Sequence, residues 1–269
     1  MADLHAPTLP ANLPPKILEA VGDATVDAVH HGRRGLVSYE LSVRDGWPLR
    51  VLKVAPPEDP YVAVSEVDRL DWIQRRLPCP KVLATSPMPG GGHAVVLSLP
   101  PGSPAVMPEH RMHPQRTVEL LAQALRFVHE IPIDGCPFDT STELRLRAIR
   151  RRLNAGQYDS RAFTPPYNRY SAHRLYELLL EMRPPEDEAV FTHGGFGLDV
   201  ALLDVAGVCG IVDWGRAGVA DRYVDLASAV RSIANTLGPE HIPHFFACYG
   251  LERPDPRKLD FFALLAELE

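Results

Sequence analysis

A proline- and glycine-rich segment, LPPGSPA at residues 99–105, separates two parts of the chain with different hydrophobic periodicities. Before it, short apolar runs alternate with Gly, Pro and Asp turns, a pattern typical of strands. These runs cover residues 24–30, 36–43, 49–54, 81–86 and 93–99. After it, apolar residues recur at helical spacing, which predicts helices at residues 119–130, 144–154, 172–182, 225–237 and 258–268. The switch predicts an α+β fold with a small β-rich lobe followed by a larger helical lobe.

The predicted domain boundaries follow from this switch. Residues 1–98 form the N-terminal lobe, residues 99–105 a hinge, and residues 106–269 the helical C-terminal lobe with a substrate pocket. One helix, VSEVDRLDWIQRRL, is predicted among the strands of the first lobe, with Ser65 near its start as a cap. One hairpin, residues 191–213, is predicted among the helices of the second, with two apolar strands joined at Ala206-Gly207.

Composition restricts the partners. The chain has 269 residues, 45% of them hydrophobic, so it can bury a large core. Its net charge of -6 argues against a nucleic-acid partner, and the basic run from Arg145 to Arg152 is predicted to be a solvated helix face. The four cysteines lack metal or redox spacing, and Cys209 is predicted to be a core residue. Without a leader-like N-terminus or a membrane-length apolar run, the chain is expected to be cytoplasmic and to bind a small molecule.

Three residues occur in the order that phosphoryl transfer requires. Lys53 lies in the apolar run LRVLKVA, Glu66 follows on the next predicted helix, and Asp213 ends the apolar run VCGIVD. In kinases a strand lysine positioned by a helix glutamate binds nucleotide phosphates, and an aspartate binds the metal. Alone, Lys53 would be interpreted as an edge-strand lysine and Asp213 as a turn residue. Their order favours a bilobal protein-kinase-like fold with a nucleotide in its cleft.

Long segments of the chain resemble the aminoglycoside phosphotransferases, most closely the branch that modifies the 3'-hydroxyl. The resemblance rests on SEVDRLDWI, FVHEIPIDGCPFD, FTHGGFGLD, GIVDWGRAGVADRYVDLASAVRSI and FFALLAEL, which occur in that family's order. It implies that ATP or GTP binds at Lys53 and Glu66, with Mg²⁺ at Asp213. It further implies that Arg216 lies in the substrate pocket and that Asp225 is a structural acid.

Two departures from the family pattern concern catalysis. The family reads His-Gly-Asp, then four residues, then Asn, whereas this chain has Gly195 and Val200 at the last two motif positions. Glycine cannot accept a substrate proton and valine has no oxygen for a metal. Losing a general base costs about a hundredfold to ten-thousandfold in rate. Asp199 or Asp204 is the candidate substitute, although residues 199 and 200 would point to opposite faces of an extended segment.

The substrate side departs as well. The segment GQYDSRAFTPPYNRYSAHR, residues 156–174, stands where the family has an acidic loop, yet it contains one acid among several arginines and aromatic residues. Asn235 replaces a family glutamate, and the last residue is Glu269 where the family has Phe. The predicted substrate-binding residues are Arg216, Asn235, Tyr167 and Arg169, which suit an aromatic, neutral or anionic ligand. A variable surface loop without a ligand is the alternative.

Three hypotheses follow. The first is a pseudokinase-like paralogue that binds a nucleotide or a natural-product ligand without ordinary phosphoryl transfer. The second is an active phosphotransferase on a non-aminoglycoside hydroxyl group, with Asp199 as its base. The third is a different reaction on an anionic substrate that uses His193 or the arginine-rich loop, although the resemblance makes His193 a buried structural residue.

Overall fold

The computed structural model describes residues 7–43, 49–185 and 189–269. The described residues divide into two compact units. Unit 1 contains those of Met1–Ser103 together with Leu202–Gly215, and unit 2 contains those of Pro104–Ala201 together with Arg216–Glu269. The segment that ends in Asp213 therefore belongs to the same unit as Lys53. The predicted lobe and hinge boundaries stay predictions.

Unit 1 is built on an antiparallel sheet with the strand order β1-β2-β3-β5-β4. The strands are β1 (Thr25–His31), β2 (Val37–Ser42), β3 (Arg50–Ala55), β4 (Lys81–Pro87) and β5 (His93–Ser98). Each strand begins and ends within one residue of the predicted bounds, because turn residues flank each apolar run. A helix that the sequence did not predict, α1 (Pro15–Val21), packs Ile17 and Val21 against Leu52 and Val96 of the sheet.

Lys53 is in the middle of this sheet. Its strand, β3, pairs with β2 on one side and with β5 on the other. Because side chains alternate along a strand, Leu52 faces the core beside α1 and Lys53 faces the opposite side. There α2 (Tyr61–Ile73) packs on β3 and β5. Lys53 is 8% exposed, so the interpretation as an edge-strand lysine facing water is wrong.

The predicted cap of α2 is also wrong. The helix begins at Tyr61, directly after Pro60, and ends at Ile73, so Ser65 lies inside it. The Ser65 side chain is buried, and its hydroxyl donates to the carbonyl oxygens of Val62 and Gly215, each at 3.2 Å. The apolar spacing locates the helix, but the helix begins at Tyr61, before the first residue of the predicted segment, Val64.

Unit 2 is mainly helical, as predicted. Its helices are α3 (Pro108–Arg111), α4 (Pro114–His129), α5 (Thr142–Asn154), α6 (Ala172–Glu181), α7 (Tyr223–Thr236), α8 (Ile242–Tyr249) and α9 (Pro256–Leu268). The helix α4 packs on α8, and α9 packs on both α7 and α6. The α+β class is thus confirmed. Among the described residues, no helix combines the length and apolar character that crossing a bilayer requires.

The predicted hairpin at residues 191–213 belongs to a three-stranded sheet, and the first residues of its range belong to a separate two-stranded sheet. The strands β8 (Ala201–Leu203) and β9 (Val208–Ile211) flank the Ala206-Gly207 turn and form a sheet in the order β6-β8-β9, with β6 at Ser103–Pro104. Phe191 lies outside this hairpin, because β7 (Ala189–Thr192) pairs antiparallel with β10 (Gly218–Asp221). Cys209, predicted as a core residue, is half-buried.

The basic run in α5 is not a solvated face throughout. Arg145 is 8% exposed and makes two hydrogen bonds, of 2.9 and 3.0 Å, to the Glu269 carboxylate. Arg152 donates to the carbonyl oxygens of Leu268 and Glu269. The run therefore anchors the end of α9, a long-range role that the helical spacing of the arginines does not reveal.

Candidate active site

Unit 1 holds a buried lysine between two carboxylates. The Lys53 ammonium group donates to Glu66 Oε2 at 2.5 Å and to Asp213 Oδ1 at 2.8 Å. Glu66 is 2% exposed, and its second oxygen accepts the Trp214 backbone N–H at 3.1 Å. Burial alone would lower the Lys53 pKa, but the charges of Glu66 and Asp213 outweigh burial and raise this pKa above its ordinary value. Lys53 is therefore a fixed positive charge at any physiological pH.

The backbone at Asp213 is held in an uncommon conformation. Its φ of 66° lies in the left-handed region, which aspartate tolerates better than most residues. The following residue, Trp214, is fully buried and its indole N–H donates to the Ile211 carbonyl oxygen at 2.8 Å. This anchored turn carries the Asp213 carboxylate to Lys53 while leaving its side chain 55% exposed. Such conformations recur at functional sites, where the surroundings enforce them.

The donor set at Asp213 fits a metal shared with a nucleotide. Mg²⁺ is usually bound through one or two carboxylates together with substrate phosphates and water. An exposed aspartate carboxylate beside a fixed ammonium group fits that pattern. In the described parts of the chain, no group of three or more His, Cys, Asp or Glu side chains could hold a metal. The single exposed carboxylate of Asp213 suits an ion that nucleotide phosphates and water also bind.

Unit 2 holds a tightly bonded turn directly after β7. The Asp225 carboxylate accepts the backbone N–H groups of residues 193–196 at distances of 2.6–3.2 Å. His129 Nε2 lies 3.2 Å from its Oδ2. Burial would raise the Asp225 pKa, but the His129 hydrogen bond, the imidazoles of His129 and His193 and a backbone N–H together lower it to about 2. The structural role that the resemblance implied for Asp225 agrees with this geometry.

Residue 195 lies in this turn, and Arg216 occupies the space beside it. A Cβ atom built on Gly195 would lie 2.1 Å from Arg216 Nη2 and 3.0 Å from its Cζ. The guanidinium group thus takes the position that a side chain on residue 195 would need. Gly194 differs, because its φ of 88° and the Arg216 carbonyl oxygen, 2.4 Å from a built Cβ, both require glycine. Of these two glycines, Gly195 is the one whose backbone a larger residue can adopt, provided that the Arg216 side chain moves.

Comparison with known proteins identifies the family. The model of the phosphotransferase enzyme family matches residues 37–262, most of the chain. The chain belongs to this family. An aminoglycoside 3'-phosphotransferase from Niallia circulans is 31% identical over 259 residues, which cover 95% of this chain and 97% of the relative. The predicted resemblance to the 3'-phosphotransferase branch is confirmed.

Solved structures agree with this membership of the phosphotransferase family. A crystal structure of a type VIII aminoglycoside 3'-phosphotransferase is 28% identical, has a TM-score of 0.80 and covers 92% of this chain and 94% of its own. An aminoglycoside phosphotransferase from Streptomyces rimosus, in complex with ADP and streptomycin, is 23% identical with a TM-score of 0.75 and covers 94% of this chain and 96% of its own. The bilobal protein-kinase-like fold is confirmed.

Asp199 and Asp204, the two candidate substitutes for the missing general base, have different surroundings in the structure. Asp199 is exposed within a turn at residues 198–200, while Val200 is 4% exposed. The segment is a turn and not an extended strand, so the argument from opposite strand faces does not apply to it. Asp204 accepts the backbone N–H groups of Ala206 and Gly207 and so fixes the β8–β9 turn. Asp199 thus remains the candidate, and Asp204 has a structural task.

The other predicted substrate-binding residues, Tyr167, Arg169 and Asn235, differ in how exposed they are. Tyr167 and Arg169 bound a short 3-10 turn; Tyr167 is half-buried, and its pKa is raised by burial and by the charges of Asp260 and Glu267. Arg169 and Asn235 are exposed, the latter near the end of α7. The loop itself is fastened to α9, since Glu267 accepts the N–H and the hydroxyl of Thr164. It is therefore not a loose surface loop.

Two arginines near Gly195 were missed as site residues. Arg145 and Arg231 line a small pocket with Gly195 and Arg216, where Arg231 Nη1 lies 3.6 Å from the buried Glu267 carboxylate. Arg145 belongs to the basic run of α5, but the pairing of both arginines with α9 joins residues more than 30 positions apart. His193 is 1% exposed, as the resemblance implied, and its burial argues against the form of the third hypothesis that uses this histidine.

Proposed function

We propose that this chain binds a nucleoside triphosphate with Mg²⁺ and transfers its phosphoryl group far more slowly than an ordinary phosphotransferase. The proposal rests on the contrast between Lys53, whose charged partners are present, and residue 195, which has no side chain. Lys53 is fixed by Glu66 and Asp213, whereas residue 195 offers no carboxylate and has the Arg216 guanidinium group in the place of a side chain. The chain keeps the groups that bind phosphates and lacks the group that takes a proton.

Each residue has a defined part in this proposal. Lys53 offers a permanent positive charge to nucleotide phosphates, and Glu66 orients it through a buried ion pair. Asp213 is the residue that would hold Mg²⁺, which when bound neutralises charge on the transferring phosphoryl group. Asp225 holds the turn around residue 195 in position through its backbone hydrogen bonds. Val200 contributes an apolar, buried side chain where an amide oxygen would serve a metal.

An active phosphotransferase that uses Asp199 is the second candidate function. It is favoured by one observation, the exposed Asp199 carboxylate in the turn that precedes β8. An exposed carboxylate can accept a proton from a hydroxyl group that lies within hydrogen-bond reach. Replacement of Asp199 by asparagine distinguishes the two candidates, because only the second requires the carboxylate.

The proposal is tested by measuring phosphoryl transfer from radiolabelled ATP with Mg²⁺ to a panel of hydroxyl acceptors that includes kanamycin and streptomycin. Ordinary enzymes turn over at about 1–10³ s⁻¹, and loss of a positioned base removes about two to four orders of magnitude. We expect rates at least a hundredfold below that range, unchanged in Asp199→Asn. Ordinary turnover by the wild-type protein contradicts the proposal, and ordinary turnover abolished by Asp199→Asn establishes the second candidate.

A further inference from the structure

A small pocket in unit 2 lies against the turn that contains Gly195. It is bounded by that turn and by residues of α7 and α9, and its volume is about 20 Å³. The charged residues that line it are Arg145, Arg216, Arg231 and Glu269. Its apolar wall includes Phe262 and Leu265, and Ser228 adds a hydroxyl group.

The arginines of this pocket differ in how their charge is balanced. Arg145 is buried against the Glu269 carboxylate, with two hydrogen bonds of 2.9 and 3.0 Å. Arg231 lies 3.6 Å from Glu267. The Arg216 side chain makes no hydrogen bond or ion pair with the described residues of unit 2, which are 104–185, 189–201 and 216–269. One guanidinium group therefore faces the pocket without a carboxylate to balance it.

Because residue 195 is glycine, the Arg216 guanidinium group can lie beside the turn and line the pocket. A side chain there would displace the Arg216 guanidinium group, which lies 2.1 Å from the position of a Cβ atom. The turn cannot move away, because Asp225 accepts four consecutive backbone N–H groups from it. The guanidinium group thus lies beside a turn that Asp225 holds, and it lines the pocket.

We propose that this pocket binds the carboxylate group of a small-molecule ligand, with Arg216 as its main partner. The inference rests on the proposed function and deepens it by naming the class of ligand for the unit that carries residue 195. Guanidinium groups bind carboxylates through two parallel hydrogen bonds. A cavity needs about 10–15 Å³ for one water-sized group, so this pocket has room for one end of a carboxylate, and a titration with inorganic phosphate tests the choice between the two anions.

The same charges disfavour a polycation. Both glutamates near the pocket are engaged, Glu269 by Arg145 and Glu267 by Thr164 and Arg231. An ammonium group would meet guanidinium groups first, and juxtaposed like charges oppose binding. The remainder of a carboxylate ligand lies outside this small pocket, where the exposed Arg216 side chain meets solvent.

The test is a titration of the full chain with 4-fluorobenzoate, followed by ¹⁹F NMR in the absence of nucleotide. 4-Fluorobenzamide, a neutral molecule of the same shape, is the matched ligand control. We expect the carboxylate to bind at least tenfold more tightly than the amide, and Arg216→Met to remove this preference. Arg161→Met is the matched protein control, because Arg161 is exposed and pairs with Asp159. It should retain wild-type affinity.

Three outcomes overturn the inference. They are equal binding of the carboxylate and the amide, full affinity in Arg216→Met, and preferential binding of inorganic phosphate over 4-fluorobenzoate. Failure of the proposed function is separate, because nucleotide binding is tested at Lys53 in unit 1 and the carboxylate at Arg216 in unit 2. If the protein binds 4-fluorobenzoate but not ATP, only the proposed function is overturned. If it binds ATP but not 4-fluorobenzoate, only this inference is overturned.

Discussion

Gly195→Asp is expected to raise the rate of phosphoryl transfer from ATP about a hundredfold to ten-thousandfold, the usual contribution of a positioned general base. The backbone permits the change, because Gly195 does not have the positive φ of Gly194. The Cβ atom of the new residue would first meet the end of the flexible Arg216 side chain, which can swing aside and pair with the carboxylate. The rate is measured with water and with hydroxyl compounds as acceptors.

The matched control is Gly195→Asn, which has the same shape and no proton-accepting carboxylate. It should leave the rate at the wild-type level while displacing Arg216 in the same way. Equal rates in wild type, Gly195→Asp and Gly195→Asn would mean that a missing base does not limit transfer. Adding Val200→Asn supplies an oxygen for the metal, but it also buries an amide at a position that is 4% exposed. That second change costs about 1–3 kcal/mol of stability unless the amide finds a partner.

Asp225→Asn is expected to lower the free energy of unfolding by about 3–5 kcal/mol, the cost of breaking a buried charged network. Asparagine has one acceptor oxygen where the carboxylate has two, and its NH₂ group would face backbone donors of residues 193–196. The stability is measured by urea unfolding. Asp199→Asn is the matched control in the same unit and should cost little, because Asp199 is exposed. Equal losses in the two variants would contradict this role of Asp225.

The pH dependence of the free energy of unfolding is a second test of the hydrogen bonds that Asp225 makes. Asp225 has a pKa of about 2 in the folded chain, and an unfolded aspartate has a pKa of about 3.9. A depressed folded pKa means that its contribution is present above about pH 4 and is lost as the pH falls towards 2. Wild-type stability should therefore fall more steeply over this window than that of Asp225→Asn. Parallel curves would contradict the assignment.

Local patterning was sufficient to predict the strands of unit 1 and the order of Lys53, Glu66 and Asp213. Apolar runs bounded by turn residues define strands, and a charged residue inside such a run is conspicuous. The sequence did not show that β3 is a central strand, so the burial of Lys53 was not predictable from its neighbours. Strand order is decided by packing across the sheet, which a single strand does not encode.

The parts that the sequence missed all depend on distant partners. Arg145 pairs with Glu269, 124 positions later, and helical spacing alone could only suggest a solvated face. The position of Arg216 over Gly195 likewise joins two separate turns. Serine favours helix starts, so the sequence predicts Ser65 as a cap, yet the helix begins at Tyr61 and the Ser65 hydroxyl donates to backbone carbonyl oxygens within unit 1. Tertiary contacts overrode the local preference in each case.

The most direct test of a retained nucleotide site is a calorimetric titration of the wild-type protein with ATP, with and without Mg²⁺. Lys53→Met is the test variant and Lys81→Met, at an exposed lysine of β4, is the matched control. Because Lys53→Met leaves Glu66 buried and unpaired, the neutral variant Lys53→Met/Glu66→Met is titrated beside it. We expect Mg²⁺-dependent ATP binding in wild type and Lys81→Met, and at least a tenfold loss in both Lys53 variants. Absence of ATP binding in the wild-type protein, or full affinity in the Lys53 variants, would contradict the account.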